Sequence, residues 1–317
     1  MIILDFEKKH VEEARQIAMA NYKEEKDHVS ILPDIDTLPD LTHFADNGLG
    51  VVAFDKGKMI GFLCCYKPWD NAFNSAAKGT FSPIHAHGTI LENREMIYKR
   101  LYQVAAKKWI KHKIAYHAIG LYAHDNKAVH ALFTYGFGLR CIDAIRPMNK
   151  LDCQPCDDIV FEEIEKKDVN QVRDMRRMLS EHLGESPSFM CSTPQYFKNW
   201  IERAERRDSR LFVAKQDEKL IAFLEVKDNA ENFVTEANGM INICGAYCIP
   251  EFRGKDIFSN LINYMIMTLE TDGYKRLGVD FESFNPTASG FWLKHFAAYT
   301  NSVVRRIDEC AIQMVSD

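Results

Sequence analysis

Ile249-Pro250-Glu251-Phe252-Arg253-Gly254-Lys255-Asp256-Ile257-Phe258 is the stretch on which the reading of this chain turns. An apolar, strand-like run (Met240 to Ile249) precedes it, and an amphipathic, helix-like run (Ile257 to Thr271) follows. A strand that ends in a basic, glycine-containing turn and opens a helix is an anion site. The first N–H groups of a helix lack internal partners, and the helix dipole favours negative charge there. Arg253 and Lys255 add fixed positive charge at the same place. The natural guest is a pyrophosphate.

Working outward, the chain reads as two copies of one unit, offset by about 160 residues. Val52-Ala53-Phe54-Asp55-Lys56-Gly57-Lys58-Met59-Ile60-Gly61-Phe62-Leu63 matches Val213-Ala214-Lys215-Gln216-Asp217-Glu218-Lys219-Leu220-Ile221-Ala222-Phe223-Leu224. Both are apolar runs around a tight polar turn, the pattern of a β-hairpin. In each copy a strand, a long helix and another strand follow, and then an Asn opening a short helix: Asn126 in the first copy, Asn285 before Pro286 in the second. The first copy predicts strand 1–6, helices 8–24 and 35–46, strands 50–55, 58–66 and 79–85, helix 93–113, strand 116–122, helix 126–135 and strand 139–148. The second predicts strand 159–163, helices 168–183 and 194–206, strands 210–215, 219–227 and 239–249, helix 256–272, strand 276–283, helix 285–296 and strand 300–312. Residues 149–158 link them, so the expected domains are 1–150 and 151–317.

This order, and the Arg253 turn after the fourth strand of the second copy, resembles the GNAT acetyltransferase superfamily. The resemblance implies an α+β fold of two tandem GNAT-like (acyl-CoA N-acyltransferase) domains. Each would be a mixed, mainly antiparallel sheet flanked by helices. It further implies an N-acetyltransferase that uses acetyl-CoA as cosubstrate and a small-molecule or peptide amine as acceptor, with the cofactor held by the second copy. Cys248 and Ile249 would pair with pantetheine, and the backbone from Arg253 through Gly254, Lys255, Asp256 and Ile257 to Phe258 would hold the pyrophosphate. Asn285 would reach the pantetheine region, with Phe291 and Trp292 near the acyl end. Departures from the pattern are plain. Asp256 and Phe258 stand where the family has small residues, and a carboxylate beside a pyrophosphate is repulsive. Trp292, and Phe133 in the first copy, stand where many members carry a Tyr that protonates the leaving thiolate. Thiolate departure would then use water, or Tyr247 on the fourth strand as a substitute acid. No carboxylate lies in Gly239 to Ile249, so Glu225 on the third strand is the candidate base, with Asp280 and Glu282 on the fifth as further choices. These departures favour one alternative: a non-catalytic acyl-CoA or metabolite-binding protein on the same fold.

The first copy lacks the basic turn. His85, His87 and Gly88 occupy its place, and the two histidines point to one side of a strand. With His124 they could approach a metal geometry, but the spacing matches no known ligand pattern, and the block reads as a cleft lining in a degenerate unit. Cys153-Gln154-Pro155-Cys156 has neither the helix of a redox motif nor the second pair of a zinc site. Tyr98, Tyr102 and Trp109 fall at helical spacing and read as core.

A formal charge of −5 removes the electrostatic footprint of a nucleic-acid binder. No apolar run is long enough to span a membrane. The first seven residues read as a strand start and not as a signal peptide. Cys64, Cys65, Cys244 and Cys248 lie in apolar runs as small hydrophobes, which implies a reducing, cytoplasmic compartment. Nothing in the sequence sets an oligomeric state.

Overall fold

The computed structural model describes residues 1–192 and 209–314. The chain forms two compact units, Met1–Ile142 with Ala298–Asp317, and Asp143–Ala297. We propose 1–150 and 151–317 as the units of sequence repetition; the compact bodies are bounded differently because the final strands are exchanged.

In the first unit, β1 (Ile2–Asp5), β2 (Val51–Asp55), β3 (Lys58–Leu63) and β5 (His87–Thr89) form a sheet in that order. Separately, β4 (Gly79–Ser82) pairs parallel to β6 (Tyr116–Tyr122). The strand expected at 79–85 stops at Ser82, because Pro83 has no N–H to donate to a ladder, and β5 begins only at His87. The helices are α1 (Val11–His28), α2 (Thr42–Ala45), α3 (Arg94–Lys111) and α4 (Asn126–Phe133). The helix expected at 35–46 shrinks to α2: Pro39 breaks the run, and the Asp40 carboxylate accepts from the Thr42 N–H at 3.1 Å. One face of α3 carries Ile97, Tyr98, Leu101, Tyr102, Ala105 and Trp109 into the core at spacings of three and four. Trp109 also donates its indole N–H to the Leu49 carbonyl at 3.2 Å.

β7 (Gly138–Pro147) leads from the first unit into the second, where the strand order is β7, β12 (Arg276–Glu282), β11 (Met240–Cys248), β10 (Lys219–Lys227), β9 (Arg210–Gln216) and β8 (Val160–Ile164). The described helices here are α5 (Arg173–Gly184), α6 (Ile257–Leu269) and α7 (Pro286–His295). The helix expected at 194–206 lies outside the described residues. β13 (Ala297–Arg306) returns to the first unit and runs antiparallel to β6, from Thr300 opposite Tyr122 to Arg306 opposite Tyr116. The strand expected at 300–312 stops at Arg306. Asp308 then accepts from the Cys310 N–H and opens α8 (Glu309–Gln313).

The two hairpins are built alike. Lys56 and Gly57 in one, and Asp217 and Glu218 in the other, all have positive φ. Two such residues make the tight turn whose twist matches the strands. No described helix is long and apolar enough to cross a membrane.

Candidate functional site

In the second unit β11 pairs with two neighbours over different lengths. Against β12 it is parallel only from Met240 opposite Arg276 to Ile243 opposite Val279. Against β10 it continues to Cys248 opposite Ala222, with a bulge that leaves Cys244 unmatched. Beyond Val279 the two parallel strands diverge. The opening is a cleft of ≈ 380 Å³ walled by the end of β11, the Arg253 turn, the first turn of α6, α7, and Leu179 and His182 of α5.

Most of the sequence candidates meet there. Tyr247, Cys248, Arg253, Gly254, Asp256, Ile257, Phe258, Asn285 and Trp292 all line the cleft. Arg253 bonds the Cys248 carbonyl through Nε at 2.9 Å, and its guanidinium lies 5.3 Å from the centre of the Tyr247 ring. Asn285 is buried and caps α7, accepting from the Ala288 N–H at 3.4 Å. Phe258, Phe291, Trp292 and Phe296 form an edge-to-face aromatic stack with ring centres 5.0–5.9 Å apart. Phe258 therefore fills the small-residue position with a packed ring.

Asp256 adopts the left-handed conformation that glycine favours, with φ 58°. Its carboxylate is held from the other side: Oδ2 accepts the Gln154 N–H at 3.1 Å. The segment around it is stitched to α6. Asn260 donates to the Gln154 carbonyl at 2.7 Å, and Asn263 to the Leu151 carbonyl at 2.9 Å. Cys153 and Cys156 receive the same two amides at 3.3 and 3.4 Å, and burial followed by the Asp256 charge raises both thiols.

Three candidates are placed elsewhere. Ile249 is buried and its N–H is spent on the Ile221 carbonyl at 3.0 Å. Lys255 stands 5.4 Å over the Phe252 ring. Glu225 is fully buried beside the bulge, its carboxylate 3.8 Å from the Arg176 guanidinium. Gly245 lies opposite it, and a Cβ there would push the Arg176 guanidinium aside.

Burial raises Cys244 to about 12 and Cys248 to about 11, so both thiols stay protonated near neutrality and are poor nucleophiles. Tyr247 is also raised, by burial, with Arg253 opposing. Asp280 is the first residue of β12 past its pairing with β11, and it is half-buried. Burial, then the charges of Glu231 and Asp143, push its carboxyl to about 8. His182, Leu179, Lys294 and His295 complete the wall with no signal in the sequence beyond their place on helices.

The first unit repeats this geometry with the cleft filled. Its hairpin pairs Gly61 with Thr89, as the second pairs Ala222 with Cys248. Asn93 opens α3 at φ 55°, as Asp256 opens α6. Against Thr89 lies Asn21 of α1, whose side-chain amide bonds both the Thr89 carbonyl and N–H, at 2.9 and 3.0 Å. At the start of α3, buried Arg94 is gripped by both carboxylate oxygens of Glu24 at 2.8 and 3.1 Å and by Asp125 at 3.2 Å. The histidines do not meet. His87 donates to the Gly120 carbonyl at 2.5 Å and accepts from Tyr98, His85 is buried near Phe44, and His124 pairs with Glu25. His85 and His87 are each pushed down to about 4, chiefly by burial, and are neutral.

Residues 175–297 match the family described as acetyltransferase (GNAT) family. A GCN5-related N-acetyltransferase from Sphaerobacter thermophilus shares the fold over 96% of this chain and 95% of its own, at 11% identity and TM-score 0.56. A fungal glucosamine N-acetyltransferase region, in a multi-domain GH3 β-N-acetylglucosaminidase, matches 96% of this chain and 38% of its own, at 14% identity and TM-score 0.50. No curated protein matches the sequence. Residues 175–297 thus match the GNAT acetyltransferase family by sequence, and the chain as a whole shares its α+β fold with the Sphaerobacter thermophilus protein.

Proposed function

We propose that the protein transfers an acyl group, acetyl in the simplest case, from acyl-CoA to the amine of a small molecule or peptide, with the cosubstrate held by the second unit. The observation that carries this reading is the cleft where β11 parts from β12 above the first turn of α6. It has the lining an acyl-CoA needs. The first N–H groups of α6, with Arg253 and Lys255 nearby, suit a pyrophosphate. The Asp256 carboxylate is occupied by Gln154, which lessens the repulsion its charge would otherwise exert. The bound thioester would supply the activated acyl group.

The chain's own residues divide the proton work. Asp280, titrating near 8 and standing just past the β11–β12 pairing behind the cleft lining, would take the proton of an ammonium that reached the strand opening, and a base with a near-neutral pKa is most effective there. Glu225, paired with Arg176, sits beside the β10–β11 bulge and fixes its shape. Tyr247 keeps its proton at neutral pH and faces the cleft, which suits it to the acid role that Trp292 cannot fill. The first unit is a scaffold, because Asn21 and Glu24 already occupy its equivalent backbone and basic groups. The test is thiol release from acetyl-CoA across an amine panel. Turnover lost in Asp280→Asn supports the reading, whereas acetyl-CoA binding with no turnover on any amine would leave the non-catalytic binding protein.

A further inference from the structure

The part of the first unit's cleft that α1 leaves open is a cavity of ≈ 250 Å³ lined by Glu24, Glu25, Arg94, Tyr122, His124 and Asp125. Its buried cation is engaged. Arg94 donates to Glu24, Asp125 and the Thr89 and Ile90 carbonyls, so an entering anion meets an arginine whose hydrogen bonds are already made. The buried acceptors are in a different state. Glu25 is 2% exposed, and its carboxylate accepts from the ring and the backbone N–H of His124, at 2.8 and 3.2 Å. The His124 side chain is 42% exposed, and each Glu25 oxygen keeps a second lone pair for a further donor. Tyr122 is 5% exposed, and its buried hydroxyl has no hydrogen-bond partner among the described residues. His28 stacks parallel on His124 with ring centres 4.9 Å apart, a flat wall at the mouth.

A buried carboxylate and an unpartnered buried hydroxyl facing one small cavity call for a ligand that donates hydrogen bonds and carries positive charge. No group of three metal-ligating side chains is gathered among the described residues. An ammonium fits, with three donors on a compact charge. We infer that this cavity binds a small primary amine in its ammonium form, held by the Glu25 carboxylate and the Tyr122 hydroxyl, with its alkyl chain against the stacked imidazoles. This is a site separate from the cleft of the second unit and independent of acyl transfer.

The experiment is calorimetric titration of putrescine into the full chain, with 1,4-butanediol as the neutral isostere. A putrescine site is expected that Glu25→Gln weakens by about tenfold or more, that Tyr122→Phe weakens by about threefold, and that Asp280→Asn leaves within about twofold. The diol should not bind. Absence of heat up to about 10 mM putrescine, equal binding of the diol, or an affinity that follows Asp280 and not Glu25 overturns the inference. Should Glu25→Gln fail to fold, Tyr122→Phe decides alone, since it removes one unpartnered oxygen and leaves the packing intact.

Discussion

Asp280→Asn gives a test that needs no knowledge of the acceptor. In the folded second unit the carboxyl titrates at about 8, against an ordinary 3.8, because burial and the charges of Glu231 and Asp143 disfavour its ionised form. Below about pH 4 the group is protonated in both folded and unfolded chains, and its neutral-form stability is fully present. Between about pH 4 and pH 8 the unfolded chain ionises it while the folded one does not, so stability is lost as pH rises, and the loss levels off above about pH 8. Four pKa units set a ceiling of about 6 kcal/mol, and effective screening around a half-buried carboxyl brings the working figure to about 2–3 kcal/mol. For a body of this size, each kcal/mol shifts the melting temperature by about 2–4 °C. The asparagine variant should therefore melt with the wild type near about pH 4 and about 5–10 °C above it near pH 8.5, in calorimetric scans across that range. An offset that is constant with pH, or a variant less stable throughout, would refute the environment assigned to Asp280 and with it the proposed base.

Other perturbations separate the remaining roles. Arg253→Glu should weaken acetyl-CoA binding by about a hundredfold or more in a calorimetric titration, since it reverses charge at the turn and frees the Cys248 carbonyl. Asp256→Gly relieves a left-handed residue but loses the Gln154 bond, so its acetyl-CoA affinity should change by less than about threefold by calorimetry; a large gain would mean the carboxylate faces the phosphate after all. Tyr247→Phe should lower kcat by about tenfold or more with little change in KM, read from thiol release, if Tyr247 is the acid. Glu24→Ala should destabilise the first unit by about 1–3 kcal/mol in denaturant, because buried Arg94 loses its bidentate partner, and should create no second acetyl-CoA site.

Local rules carried the sequence reading a long way. The paired hairpins were legible because two residues of positive φ between alternating runs are a local instruction, and both turns obey it. The caps were nearly so. Asn285 caps α7 as its place before Pro286 implies, while the cap of α4 is Asp125, one residue before the Asn that drew attention. One strand–turn–helix segment supplies much of the cleft's wall, and Tyr247, Cys248, Arg253, Asp256 and Phe258 line it together. What escaped depends on contacts far apart in sequence. No local pattern says that β13 pairs with β6, or that the Asp256 side chain finds Gln154. The filling of the first cleft rests on Asn21 and Glu24, two unremarked polar residues of α1 whose partners lie about 70 positions away. Asp280 looked like any half-exposed strand carboxylate until its neighbours Glu231 and Asp143 were placed around it.

The most direct test of the account is the stoichiometry of acetyl-CoA binding to the full chain, measured by titration calorimetry on wild type and Arg253→Glu. The account predicts one site per chain, and its loss in the variant. Two sites, no site, or one site indifferent to Arg253 would contradict the assignment of the cosubstrate to the second unit alone.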